Sequence, residues 1–135
     1  MQYSIATVCL SGTLRQKIEA IAKAGFQGIE IFENDLITHD GSLSELRQLL
    51  ADHGLKVLVY QPFRDFEGIQ ESLWSRGFAR AEQKFELMQE IGTDLLMICS
   101  NSLPRRLVAF NELQRIFLNS LNWQRNRACE SLTKR

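Results

Sequence analysis

Three polar clusters stand directly behind apolar runs in this sequence. Glu33, Asn34 and Asp35 follow "GIEIF"; Gln61, Arg64, Asp65 and Glu67 fall within "YQPFRDFEG"; Ser100 and Asn101 follow "LLMIC". Arg64 carries the clearest chemistry, because a planar guanidinium can hold a substrate carboxylate through two parallel hydrogen bonds. Its alternative is an ion pair with Asp65 or Glu67, worth little where water reaches it. Gln61 and Asn101 offer amides that either orient a substrate or satisfy loop backbone. Glu33 is open between a ligand contact and a cap for neighbouring backbone. Glu30 sits inside the apolar run itself, where a carboxylate needs a partner or gives up its charge. Gln61 or Arg64 is the natural neighbour. Tyr60, Phe63, Phe66 and Trp74 either wall a pocket or pack the long loop after the apolar run that ends in Tyr60.

These clusters need a scaffold, and the first hundred residues repeat one. "IEAIAKAGFQGIEIF", "LRQLLADHGLKVLVY" and "KFELMQEIGTDLLMICS" each read as an amphipathic helix, a glycine and a short apolar strand. Gly25, Gly54 and Gly92 stand where a helix ends on a residue free to take left-handed backbone. The pattern predicts strands over 3–9, 28–32, 56–60 and 94–99, with helices over 13–24, 43–53 and 78–91. Thr13 is placed to cap the first helix, and Ile18, Ile21 and Ala22 form its core stripe. Nearly continuous apolar strands alternating with helices mean a parallel sheet covered by helices. The sheet is either doubly wound or part of a (β/α)8 barrel, which needs ~200 residues or more. In both, ligands bind at the carboxyl ends of the strands, where the three clusters collect.

Other chemistries find little support. The turn "LSGTL" is not GxGxxG, and neither a Walker lysine motif nor HExxH is present. His39 and His53 are not spaced as metal ligands; His53 suits the end of a helix, where its positive character meets the dipole. Ser11 lacks the strand-to-helix elbow of a nucleophile. Cys9, Cys99 and Cys129 form no CxxC pair, which suits a reducing cytoplasm. The start "MQYSIATVCLSG" has no basic region ahead of an apolar core, so no signal peptide is expected. No run approaches ~20 apolar residues, which argues against a membrane span. No basic stripe interleaved with aromatics marks residues 1–101 for nucleic acid.

Several of these segments together resemble a known family. "SIATVCLSGTL", "AGFQGIEIFENDL", "QPFRDFEG" and "KFELMQEIGTDLLMICSN" look like the opening of the bacterial 3-dehydroshikimate dehydratases, in the form fused to a 4-hydroxyphenylpyruvate-dioxygenase-like domain. Those enzymes belong to the xylose-isomerase-like TIM barrels of sugar-phosphate isomerases and epimerases. The resemblance covers residues 1–101 and implies the N-terminal half of such a barrel, about four βα units. It implies loss of water from 3-dehydroshikimate to give protocatechuate in quinate and shikimate catabolism. It also implies Mg²⁺ or Mn²⁺ in the complete enzyme. By the same resemblance Glu33, Arg64 and Asn101 contribute to the substrate pocket, with Arg64 on the substrate carboxylate; Gln61 joins these substrate-binding candidates by its place behind the third apolar run. The family's metal ligands come from its fifth to eighth strands. No metal is therefore expected on this chain alone, nor activity, and no residue is assigned a catalytic role. The alternatives are another isomerase- or epimerase-type barrel, or a non-catalytic fragment that self-associates through exposed strand edges.

The composition changes sharply after Asn101. Residues 1–102 carry nine Lys/Arg against fourteen Asp/Glu, whereas 103–135 carry seven against two. All eight glycines lie at or before Gly92, while five of the six asparagines lie at or beyond Asn101. Residues 102–135 therefore read as a separate basic tail, with Leu107, Phe110, Leu113, Phe117 and Leu121 at roughly helical spacing. The "YEAL"-like strand expected of the family is absent from it. A change of reading frame near residues 102–104 accounts for all of these features. The coding DNA beyond codon 102, read one base out of register, should then encode dehydratase-like sequence; its absence from both other frames would rule the frame change out.

Overall fold

The structure, a computed structural model, describes residues 3–66 and 71–99. Four parallel strands form one sheet in the order β1 (Ser4–Ala6), β2 (Gly28–Phe32), β3 (Lys56–Phe63) and β4 (Leu96–Ile98). Helices α1 (Leu14–Lys23), α2 (Glu33–Ile37), α3 (Leu43–Asp52) and α4 (Trp74–Ile91) connect them. Sequential parallel neighbours joined through helices are the pattern of a barrel segment.

Each of the longer crossover helices carries its own stop or start signal. Thr13 caps α1 and Ser42 caps α3, each in a reciprocal box with the side chain three residues on, Gln16 and Glu45. Helix α4 stops at Gly92, whose φ of 80° is the left-handed conformation expected of a helix-ending glycine.

The two faces of the sheet differ in burial. Ile29, Ile31, Val57 and Tyr60 join Ile18 and Ile21 of α1, Leu46 and Leu50 of α3, and Met88 and Ile91 of α4 in one core. Glu30, Phe32 and Gln61 alternate with them and are only half-buried. Gly28 shares their inner face and has no room for a side chain: a Cβ there would come within 2.5 Å of Leu58 and 3.0 Å of Ser4. The register slips between Ile29 and Glu30 against β3, a bulge that sets Leu58 as the extra residue.

Element boundaries depart from the sequence expectation at four main points, and β4 is shorter at both ends than the expected 94–99. Strand β1 ends at Ala6 and passes into a 3-10 turn over Thr7–Cys9. The Thr7 hydroxyl, fully buried, accepts the Phe32 N–H at 2.9 Å and so replaces a rung of the ladder. Strand β3 runs on through Gln61, Pro62 and Phe63, because Phe63 is buried under α4 and its carbonyl accepts the Cys99 N–H. Helix α4 begins at Trp74 rather than 78. Residues 33–37, expected as loop, form helix α2.

Helix α2 is too short to be stable alone, and a lysine anchors it. Lys17 of α1, only 6% exposed, donates to both carboxylate oxygens of Asp35 at 2.8 and 2.9 Å. Removing one partner from a buried pair strands the other charge. Lys17→Met should therefore lower the unfolding free energy by ~3 kcal/mol, the low end for a broken buried pair because Asp35 keeps some contact with water. Lys17→Met combined with Asp35→Leu should recover most of that loss in urea titrations. A second prediction concerns the α3 cap. The Ser42 backbone N–H, then its hydroxyl, hold the Glu45 carboxyl below its ordinary range. A depressed folded value means the stabilisation is complete above the unfolded carboxylate pKa and fades as pH falls through the folded one. Glu45→Gln should flatten that acid-side slope of the urea midpoint.

Candidate functional site

The carboxyl ends of β2 and β3 bring three of the four sequence-predicted residues to one rim. Glu33 is the first residue of α2, directly behind β2. Gln61 lies within β3, and Arg64 is the first residue beyond it. Asn101, with Glu67 and Ser100, lies outside the described residues. The inner face carries the pair foreseen for Glu30: Gln61 Nε2 donates to Glu30 Oε2 at 3.2 Å. That bond uses the amide nitrogen of Gln61, a half-buried residue.

Arg64 is exposed, and its neighbours fix its backbone rather than its head group. The Arg80 guanidinium of α4 donates to the Arg64 carbonyl at 3.1 Å and lies 5.2 Å above the Phe63 ring. Phe63 stacks on Phe66 at 4.7 Å, and Phe78 meets Phe66 edge-on at 5.9 Å. Asp65 between them takes a left-handed φ of 55°, which a short polar side chain tolerates. Phe63 and Phe66 are thus loop packing: both are buried beneath α4 with Ala81.

Glu33 has two donors that sequence reasoning missed. Lys84 Nζ of α4 and the Tyr60 hydroxyl both donate to its Oε1, the latter at 3.2 Å. Lys84 is 6% exposed, with its ammonium 5.3 Å from the Tyr60 ring centre and 5.2 Å from that of Phe63. Aromatic faces around a desolvated ammonium favour its charge. Burial, and then the Glu33 carboxylate beside it, push the Tyr60 phenol well above its usual range, so it remains a donor. A cleft of about 250 Å³ opens here, bounded by Glu33, Tyr60, Arg80, Gln83 and Lys84. The missed signal was positional. Lys84 occupies the stripe Gly77, Ala81, Lys84, Met88, Ile91, just as Lys17 occupies Leu14, Lys17, Ile18, Ile21. A lysine on the buried face of a helix demands an acid opposite it.

A metal centre does not assemble from these groups. Among the described residues no three His, Cys, Asp or Glu side chains converge. Glu30 accepts from Gln61, Glu33 from Lys84 and Tyr60, and Asp35 from Lys17. Also among the described residues, no helix is long and apolar enough to cross a membrane.

Comparisons with known proteins agree with this architecture. The chain is 62% identical over 101 residues to the 3-dehydroshikimate dehydratase of Pseudomonas aeruginosa, which covers 75% of this chain and 16% of that enzyme. It therefore spans about a sixth of the length of that relative. A solved xylose isomerase-like TIM barrel/4-hydroxyphenylpyruvate dioxygenase fusion protein superposes with a TM-score of 0.76 at 56% identity, over 79% of this chain and 17% of the other. The fold is shared further with the IolI protein, solved with a bound zinc atom: TM-score 0.71 and 18% identity, over 80% of this chain and 41% of the other. The sequence signature of one family matches residues 18–134. With its parallel four-stranded sheet and outer helices, the chain belongs to the xylose isomerase-like TIM barrel family.

Proposed function

We propose that this chain supplies the first four strands, and part of the substrate pocket, of a 3-dehydroshikimate dehydratase. The reaction removes water from 3-dehydroshikimate to give protocatechuate. The observation that carries this reading is the 62% identity, over 101 residues, with the Pseudomonas aeruginosa enzyme of that name.

In this reading Arg64 clamps the substrate carboxylate. Its backbone is held by Arg80 and by the Phe63–Phe66 stack, while its guanidinium stays exposed at the rim. Gln61, fixed by Glu30, turns its free amide oxygen to a substrate hydroxyl, and Glu33 accepts a second one. Asn101 is assigned to the same pocket by its place after the fourth apolar run. The divalent cation, Mg²⁺ or Mn²⁺, belongs to strands five to eight of the complete barrel, and the described residues take no part in holding it. The reaction is assigned to the cytoplasm, with no nucleic-acid or membrane partner.

The test pairs this chain with a separately expressed segment that carries the later barrel strands of the Pseudomonas aeruginosa relative. With Mn²⁺ the mixture should convert 3-dehydroshikimate to protocatechuate, and the chain alone should not. Arg64→Ala in the mixture should raise KM roughly 10- to 100-fold, the loss expected when hydrogen bonds to a charged group disappear. An Arg64→Ala mixture with unchanged KM would remove Arg64 from the carboxylate site. A mixture without turnover would count against the dehydratase reading itself.

A further inference from the structure

Helix α2 presents two acids, and each meets a buried lysine from a flanking helix, yet the two pairs are built differently. Lys17 spans both oxygens of Asp35, whose side chain is 15% exposed. Both oxygens of that carboxylate are thus engaged by one lysine. Lys84 and Tyr60 both load Oε1 of Glu33, whose side chain is 30% exposed. Among the described residues no donor reaches its Oε2. If anchoring α2 were the whole purpose, Lys17 and Asp35 would suffice, and a second buried ammonium would carry a desolvation cost for nothing.

The arrangement around Glu33 fits a carboxylate held ready to accept. Lys84 keeps a compensating charge beside it, shielded from water between two aromatic faces. Tyr60 fixes the rotation of the group by taking the same oxygen as Lys84. With Oε1 doubly bonded, Oε2 is the oxygen left for a further donor, in a side chain that is 30% exposed.

We propose that Lys84 and Tyr60 are positioning residues for Glu33, which hold it by Oε1 so that Oε2 receives a hydroxyl of the substrate. This rests on the reading of Glu33 as a substrate contact. It adds residues from α4 and the helix-facing side of β3 to a pocket otherwise built from the strand ends. Neither touches the substrate in this scheme; both act through the carboxylate.

The chain, labelled with ¹³C at glutamate side-chain carboxyls and mixed with the unlabelled later barrel strands used above, tests it by nuclear magnetic resonance. Glu33→Gln identifies the Glu33 resonance. Titration with 3-dehydroshikimate should shift that resonance in the wild type. In Lys84→Met and in Tyr60→Phe the apparent Kd should rise about tenfold or more, as for a lost hydrogen bond to a charged group. Lys84→Arg, which retains a donor and a charge, should restore most of the affinity. Tyr60→Phe preserves packing, so it remains informative if Lys84→Met fails to fold. A wild-type shift with unchanged Kd in the folded variants would overturn the positioning role alone. No shift in the wild type would overturn the reading of Glu33 as a substrate contact, and this inference with it.

Discussion

The rim of this half-barrel depends on charge neutralisation inside two helices. Lys17 on α1 and Lys84 on α4 are both nearly inaccessible to water, and each reaches an acid of the same five-residue helix. An ammonium removed from water without a partner is costly enough to displace the helix that carries it. The pairs therefore fix three things together: α1 against the sheet, α4 against the sheet, and α2 across the carboxyl ends of β2 and β3. So short a helix has too few internal hydrogen bonds to form by itself. Its order is borrowed from its neighbours, and the groups it presents inherit that order.

Function and packing are divided between the two sides of the sheet. The helix-facing side is a closed apolar core in which Ile29, Ile31 and Tyr60 are almost completely buried. The inner side carries Glu30 and Gln61, bonded to each other and half-buried. Tyr60 links the two, with its ring in the core and its hydroxyl on the rim acid. The outer strands β1 and β4 each have one neighbour in the described sheet, and Leu95, Met97 and Ile98 are exposed beside that edge. Barrel closure is the family's means of covering such edges.

Much of this was legible in the sequence, because the signals were local and periodic. Four strands, three helices, the Thr13 cap and the glycine stops at Gly25, Gly54 and Gly92 were found where expected. The partner of Glu30 was narrowed to two residues, one of which it meets. Helix α2 was not legible: five residues show no helical period, and "ENDL" reads equally well as a polar loop. Strand β3 was read too short because Pro62 usually ends a strand, and only its burial beneath α4 carries the strand past it. The lysine partners were hidden for a different reason. A lysine in an amphipathic pattern is normally assigned to the wet face, and only the register against Ile18 or Met88 reveals otherwise. Placement of Arg64 and Gln61 at the rim followed from strand direction alone, whereas what holds Glu33 required the packing of α4.

The close approach at Gly28 bears on which residues the strand can carry. Leu58 and Ser4 close over that glycine at the amino-terminal end of the inner face, leaving less space than a methyl group needs. At that point the inner face of β2 is filled by its neighbours, and any residue larger than glycine would have to displace Leu58.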